Sequence, residues 1–232
     1  MNSVLVVIPA RYASTRFPAK PLALIAGKPM IQWTYESACK SKADIVVVAT
    51  DDQRIADCVE SFGGRYVMTS PDHPSGTDRI AEAVKELEGD LIINLQGDEP
   101  LLPAVVIDEL IDTMLADPSL GMGTAAVPVD YTEEIANDPN LVKVTCNLQG
   151  QALYFSRSCI PYFRNLPESP QILTHWGIYA YRRATLEQFI TWPQSPLEQA
   201  ESLEQLRVLE NGVKIHVVLS DQRSIGVDVP DD

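Results

Sequence analysis

Short apolar runs alternate with helix-period segments through the first half of the chain. The runs Val4–Ile8, Ile45–Ala49, Tyr66–Met68 and Leu91–Leu95 are too short for core helices and nearly continuous in apolar residues. That is the signature of strands buried on both faces of a parallel sheet. Helix-period segments follow near Met30–Lys42, Asp52–Phe62, Gly76–Leu87 and Ala104–Leu115. Asp52 suits an N-cap, and Gly63-Gly64 supplies a stop. The pattern changes after Pro118, where Gly123–Val129, Val142–Cys146, Ala152–Phe155 and Ile178–Tyr181 read as strands, the first three without intervening helices. A polar, Pro-containing connection lies between Ser158 and Leu173. One long helix is predicted over Pro196–Glu210, begun by the Ser195/Glu198 capping box with Pro196 at its first position and ended by Asn211-Gly212. A last strand, Lys214–Leu219, precedes the tail. This order predicts an α/β fold with a mostly parallel sheet flanked by helices and a small β-rich insertion, in a single domain over 1–232.

Composition narrows the function. The 232 residues carry a formal net charge of −14, which argues against a general nucleic-acid surface. Cys39, Cys58, Cys146 and Cys159 are widely spaced, as expected of reduced thiols rather than a metal site or disulfide framework. The amino terminus enters a strand directly, and no apolar run approaches the length of a membrane span. The expected location is the cytoplasm.

Against that acidic background, the first 35 residues hold four basic side chains (Arg11, Arg16, Lys20 and Lys28) and no acidic one. Three of them lie in the loop Pro9–Pro21, directly after the first strand. A local cationic pocket in an acidic chain points to one small, highly charged anion, and a nucleoside triphosphate is the obvious candidate. The loop is not a Walker A motif, since no G-x-x-x-x-G-K-[ST] occurs. Gly121-Met-Gly123 resembles a dinucleotide fingerprint only in its glycines, because it leads into a strand.

Three further sets carry candidate chemistry. Gln96-Gly97-Asp98 ends an apolar strand, and a carboxylate at that edge suits either a divalent ion or a simple turn. Ser75-Gly76-Thr77-Asp78-Arg79 opens a helix, so Ser75 or Thr77 serves as a cap or the helix start receives a ligand. Arg157, His175, Tyr179, Glu204 and Gln205 lie late in the chain, where surface and packing roles remain equally open.

Read together, IPARYASTRFPAKPL, ATDD, SGTDRI, NLQGDEP, ALYFSR, HWGIYAYR, SPLEQ-x-ESLEQLRVL and GVDVP resemble the 3-deoxy-manno-octulosonate (Kdo) cytidylyltransferases along essentially the whole chain. The resemblance implies a nucleotidyltransferase-like fold and transfer of CMP from CTP to Kdo, with release of pyrophosphate and a requirement for Mg²⁺. It implies a homodimer that feeds lipopolysaccharide synthesis, with residues 1–117 as the nucleotide-binding half and 118–232 as the sugar-binding and dimerisation half. By matching motifs, Arg11, Arg16 and Lys20 would hold the triphosphate, and Ser75 and Arg79 the cytidine end. Gln96 would lie between nucleotide and sugar, and Asp98 and Asp228 would ligate magnesium. Arg11, Lys20, Asp98 and Asp228 would thus form the catalytic set, while Arg157, His175, Tyr179, Glu204 and Gln205 would hold the sugar acid. Ala19 stands where the family pattern usually has Gly, Thr174 where a basic residue is usual, and Ile225 where Thr is common. These departures leave a related acid, such as an 8-amino analogue of Kdo, as an alternative substrate. A glycosyltransferase using a finished sugar nucleotide is the more distant alternative.

Overall fold

The computed structural model describes residues 3–13 and 17–222. From the amino end the chain forms β1 (Val4–Ala10), a single 3-10 turn at Lys20–Leu22, the hairpin β2 (Leu24–Ile25) and β3 (Lys28–Pro29), then α1 (Met30–Ala38). It continues through β4 (Ile45–Thr50), α2 (Gln53–Ser61), β5 (Tyr66–Met68), α3 (Gly76–Ala83), β6 (Leu91–Leu95) and α4 (Ala104–Ala116). The later part holds β7 (Met122–Asp130), α5 (Glu133–Asn137), β8 (Lys143–Cys146), β9 (Ala152–Ser156) and β10 (Gln171–Arg182). It closes with α6 (Arg183–Phe189), α7 (Pro196–Glu201), α8 (Gln205–Glu210) and β11 (Ile215–Leu219).

One sheet takes strands from both halves of the chain, in the order β11-β7-β10-β6-β1-β4-β5. Neighbours are parallel except around β10, which runs antiparallel to β6 and β7. The mostly parallel, helix-flanked sheet expected from the sequence is therefore present. Alternation along β1 explains why both faces are covered. Val4, Val6 and Ile8 join a core with Ile31 of α1, Ile55 of α2 and Leu110 of α4, while Leu5 and Val7 join Ile80 of α3, Phe189 of α6 and Leu206 of α8. Each such side chain contributes about 1.5–3 kcal/mol of transfer free energy, so β1 is the anchor of both layers.

Three expectations need correction. The first three later strands are not free of helix, because α5 intervenes between β7 and β8. Thr132 starts it by accepting from Ile135 N–H at 3.1 Å, and only Ala136 is buried, so the segment is too short to show a period. Helix α6 is additional. Its Arg183 donates to the carbonyls of Val84, Leu87 and Gly89 at 2.7–3.0 Å, tying it to the end of α3. Finally, the long helix over Pro196–Glu210 is two helices. The capping box is present, but Ser202 adopts a left-handed conformation (φ 53°) and ends α7. The break is clamped by a buried ion pair in which Arg207 Nε donates to Glu198 Oε2 at 2.7 Å, with the guanidinium over the Phe189 ring. Loss of either partner would leave a buried charge unpaired, which costs about 3–5 kcal/mol.

Strand β10 changes partner along its length. One edge follows β7, while the other pairs first with β8 and then, beyond a bulge between Trp176 and Tyr179, with β6. Strand β9 pairs with β8 to complete the β-rich extension. The bulge also brings His175 and Tyr179 together, with ring centroids 5.4 Å apart. Residues four apart on a regular strand would sit roughly 13 Å apart.

Ala19, in the loop after β1, is strained. Ala19 lies in the left-handed region (φ 58°, ψ 22°), where its N–H donates to Tyr12 O at 3.0 Å and its carbonyl accepts from Leu22 N–H at 2.8 Å. A Cβ in that region costs about 1–2 kcal/mol. The replacement Ala19→Gly relieves that cost but adds freedom to the unfolded chain. A net gain of about 1 kcal/mol in urea unfolding is expected, and a Gly variant no more stable than the natural chain would contradict it.

Candidate active site

Strands β1 and β6 are parallel neighbours, so the segments leaving their carboxyl ends emerge side by side. The first carries the basic loop and the second carries Gln96-Gly97-Asp98. A cavity of about 340 Å³ opens between them, lined by Arg11 and Lys20 from the loop, Ser75, Gly76 and Arg79 from α3, and Gln96, Gly97, Asp98 and Glu204 opposite. Lys20 Nζ lies 2.9 Å from Asp98 Oδ2 across 78 positions of sequence. Gly97 allows the approach, because a Cβ there would meet Pro9 O at 3.2 Å.

Helix α3 points its amino end into this cavity. Ser75 is its cap, with Oγ accepting from Asp78 N–H at 3.2 Å, and this selects Ser75 over Thr77 in that role. Arg79 is almost wholly buried. Its guanidinium donates to Asp51 Oδ2 at 2.8 Å and to Thr69 Oγ1, so it braces the cavity wall with its charge already paired. His73, which carried no pattern in the sequence, also lines the cavity and pairs with Glu82.

A second cavity, of about 250 Å³, adjoins the first. Thr77, Asn94, Gly177, Tyr179, Tyr181 and Gln205 line it, and it shares Gly76, Gln96 and Glu204 with the first. Gln96 Nε2 donates to Asn94 Oδ1 at 2.7 Å, which fixes the amide on the boundary. Its Cγ lies 3.7 Å from the point a Cβ on Gly177 would occupy, an ordinary contact distance, so Gln96 packs directly against the bulge. Gln205 is buried with no partner for Nε2 among the described residues, leaving a donor available to a ligand. Burial, with the nearby Glu204 charge, pushes the Tyr179 phenol well above its ordinary value, so it stays protonated. No Arg or Lys among the described residues lines this second cavity. It is suited to hydroxyl groups.

The remaining expected residues stand elsewhere. His175 sits beside Tyr179 but lines neither cavity. Thr124 Oγ1 donates its one proton to Ile178 O at 2.7 Å, so His175 Nε2, 2.9 Å from the same oxygen, must be the donor. Burial lowers the imidazole pKa to about 3, and His175 is a neutral ring. Arg157 also lines neither cavity. Its guanidinium donates to Glu201 O and Pro139 O, each at 2.8 Å, and it joins β9 to the end of α7. Thr174, noted as a departure, is buried and donates to Val127 O at 3.2 Å. Arg16 and Asp228 lie outside the described residues. Sequence reasoning missed Thr77 as a contact and did not single out Asn94, Tyr181 or His73. Asn94 had one visible signal, an amide inside an otherwise apolar strand.

Comparison with known proteins fits this geometry. The cytidylyltransferase family model matches residues 5–215, from within β1 to the first residue of β11. The 3-deoxy-manno-octulosonate cytidylyltransferase of Photobacterium profundum is 50% identical over 99% of this chain and 96% of its own length. The enzyme of the same name from Vibrio vulnificus is 49% identical over 99% and 95%. Among solved structures, CMP:2-keto-3-deoxy-manno-octonic acid synthetase complexed with CTP superposes with a TM-score of 0.94 at 46% identity, covering 99% of this chain and 95% of that one. HddC from Yersinia pseudotuberculosis, at 15% identity and a TM-score of 0.71, shares the fold over 98% of this chain and 95% of its own. With half its residues identical over nearly its full length, and a nucleotide-sized cationic cavity opening onto a hydroxyl-lined one, this chain belongs to the 3-deoxy-manno-octulosonate cytidylyltransferase family.

Proposed function

We propose that this chain transfers CMP from CTP to Kdo and releases pyrophosphate. The observation that carries the reading is the pair of joined cavities, one bearing Arg11, Lys20 and Asp98 and the other lined by neutral donors and Glu204. The first suits a polyphosphate and the second a polyhydroxylated acid, with Gln96 and Glu204 on the boundary where the two would react. In the reaction the sugar's anomeric hydroxyl attacks the α-phosphorus, gives up its proton, and displaces pyrophosphate. Both reactants are anions, so fixed positive charge must lower their repulsion and hold the leaving group. Arg11 and Lys20 are placed to do this, Arg11 by bidentate contact and Lys20 as a point charge. Gln96, held by Asn94, orients the acceptor, and positioning carries much of the remaining acceleration. No covalent enzyme intermediate is required.

The chemistry of the donors present fits a magnesium site. Asp98 offers a partly exposed carboxylate on the wall of the phosphate cavity, and Mg²⁺ is usually held by one or two carboxylates with substrate phosphates. Asp98 and Asp228 would hold the ion, which when bound would neutralise phosphate charge and polarise the phosphoryl oxygens. We further infer a homodimer in the cytoplasm whose product supplies lipopolysaccharide synthesis. Exposed Leu153, Tyr162 and Leu166 on β9 and the following connection support a protein contact on that side.

The direct test measures pyrophosphate release from CTP with Kdo and with a panel of related 2-keto sugar acids, the 8-amino analogue included. Turnover is expected with Kdo, whereas silence with Kdo beside robust turnover of another acid would reassign the substrate. For Asp98→Asn, a loss of about a thousandfold in kcat is expected with the fold retained, since several kcal/mol of charge stabilisation are removed. Near-normal turnover of that variant at saturating magnesium would remove Asp98 from the metal role. For Lys20→Ala, the KM for CTP should rise about tenfold or more, as for a lost charge-assisted hydrogen bond. An unchanged CTP requirement would take Lys20 out of the site.

His175 yields a prediction about pH. Its folded-state pKa, about 3, lies below the ordinary 6.5, so between those values the unfolded chain takes up a proton that the native ring refuses. The stability this ring contributes is complete above pH 6.5 and is lost as the pH falls toward 3. The His175→Gln variant should lose stability less steeply than the natural chain between about pH 6.5 and 4. Equal slopes, or an imidazole resonance titrating near 6.5 in the native protein, would show that the ring is not held neutral.

A further inference from the structure

Among the described residues, Glu204 is the only carboxylate that lines both cavities, and its placement is over-determined. It stands at the break between α7 and α8, just after the left-handed Ser202, where backbone direction is set by the Glu198–Arg207 pair. Its side chain is set separately. Thr77 Oγ1, from the first turn of α3, donates to Glu204 Oε2 at 2.8 Å across 127 positions of sequence. Thr77 is 3% exposed, and the helix does not need its hydroxyl, because Ser75 already caps the backbone.

We propose that Thr77 is a positioning residue for the sugar acid. Its hydroxyl holds one oxygen of Glu204 so that the other faces the second cavity as an acceptor for a sugar hydroxyl. No described residue donates to Glu204 Oε1. Without that anchor, a glutamate with three rotatable bonds on a cavity wall would sample several rotamers and pay their ordering on binding. Glu204 itself cannot neutralise an anion, so its partner is a neutral hydroxyl rather than the substrate carboxylate. The carboxylate end is then left to the cationic cavity. The same bond joins the helix that borders the nucleotide to the segment that borders the sugar.

This inference rests on the reading given under Proposed function, and the test separates the two. Thr77→Val keeps the shape and removes the hydroxyl, whereas Thr77→Ser keeps the hydroxyl. The Val variant should raise the KM for Kdo about tenfold while leaving the KM for CTP within about twofold, and the Ser variant should restore the natural value. Combining Thr77→Val with Glu204→Gln should add little to the defect of Glu204→Gln alone, because the hydroxyl acts through that carboxylate. An unchanged KM for Kdo in Thr77→Val, an equal rise for CTP and Kdo, a Ser variant as defective as Val, or fully additive effects would each overturn the role. Wild-type protein that does not turn over Kdo would overturn the substrate reading instead. The acid from the panel that does react would then replace Kdo in the same comparison.

Discussion

Parallel pairing of β1 with β6 is the constraint on which the site depends. Two strands running the same way discharge their following loops at the same edge of the sheet, and that edge is where open α/β sheets bind ligands. The register from Val4–Leu91 to Val7–Asn94 therefore decides that Lys20 meets Asp98. Nothing in the loops themselves need be long-range in character. The approach is completed at Gly97, where backbone rather than side chain faces Pro9 O. Both cores rest on β1, so a fault in its packing would disturb the cationic loop and the aspartate together.

Antiparallel β10 supplies the other half of the arrangement by changing partner. Where it leaves β8 for β6, the bulge at Gly177 compresses the strand and aligns aromatic side chains that regular pleating would separate. Thr124 stabilises this irregularity by donating to Ile178 O and accepting from His175. Burial keeps this ring neutral, so the bulge brings no charge beside the second cavity.

Much of this was legible in the sequence. The parallel strands were readable because burial on both faces leaves an almost unbroken apolar run, and the basic loop stood out against a chain of net charge −14. Ser75, Lys20, Gln96 and Asp98 follow directly from strand and helix ends. The break at Ser202 was not readable, since α7 and α8 share one apolar period and a serine carries no sign of a left-handed conformation. The present partners of Arg157 were not readable for a related reason, because a guanidinium bonded to the Glu201 and Pro139 carbonyls looks identical in sequence to one facing a cavity. Thr77 was ambiguous between cap and contact until α3 was seen to be capped by its neighbour.

Separating charge from hydroxyl recognition resolves a difficulty built into the proposed reaction. If both joined cavities were cationic, a triphosphate could settle in either one and block the sugar acid. Confining the described lysine and arginines to the first cavity, and setting an acidic Glu204 on the shared wall, makes the second cavity unfavourable for phosphate while leaving it receptive to hydroxyls. The repulsive element is thus as informative as the attractive one. Its value depends on Glu204 holding one position, because a carboxylate free to swing toward Lys20 or Arg11 would cancel the charge those residues present to CTP. On the proposed reading the bond from Thr77 guards against that collapse, and it does so from a buried hydroxyl of α3 that lies 127 positions away in the sequence.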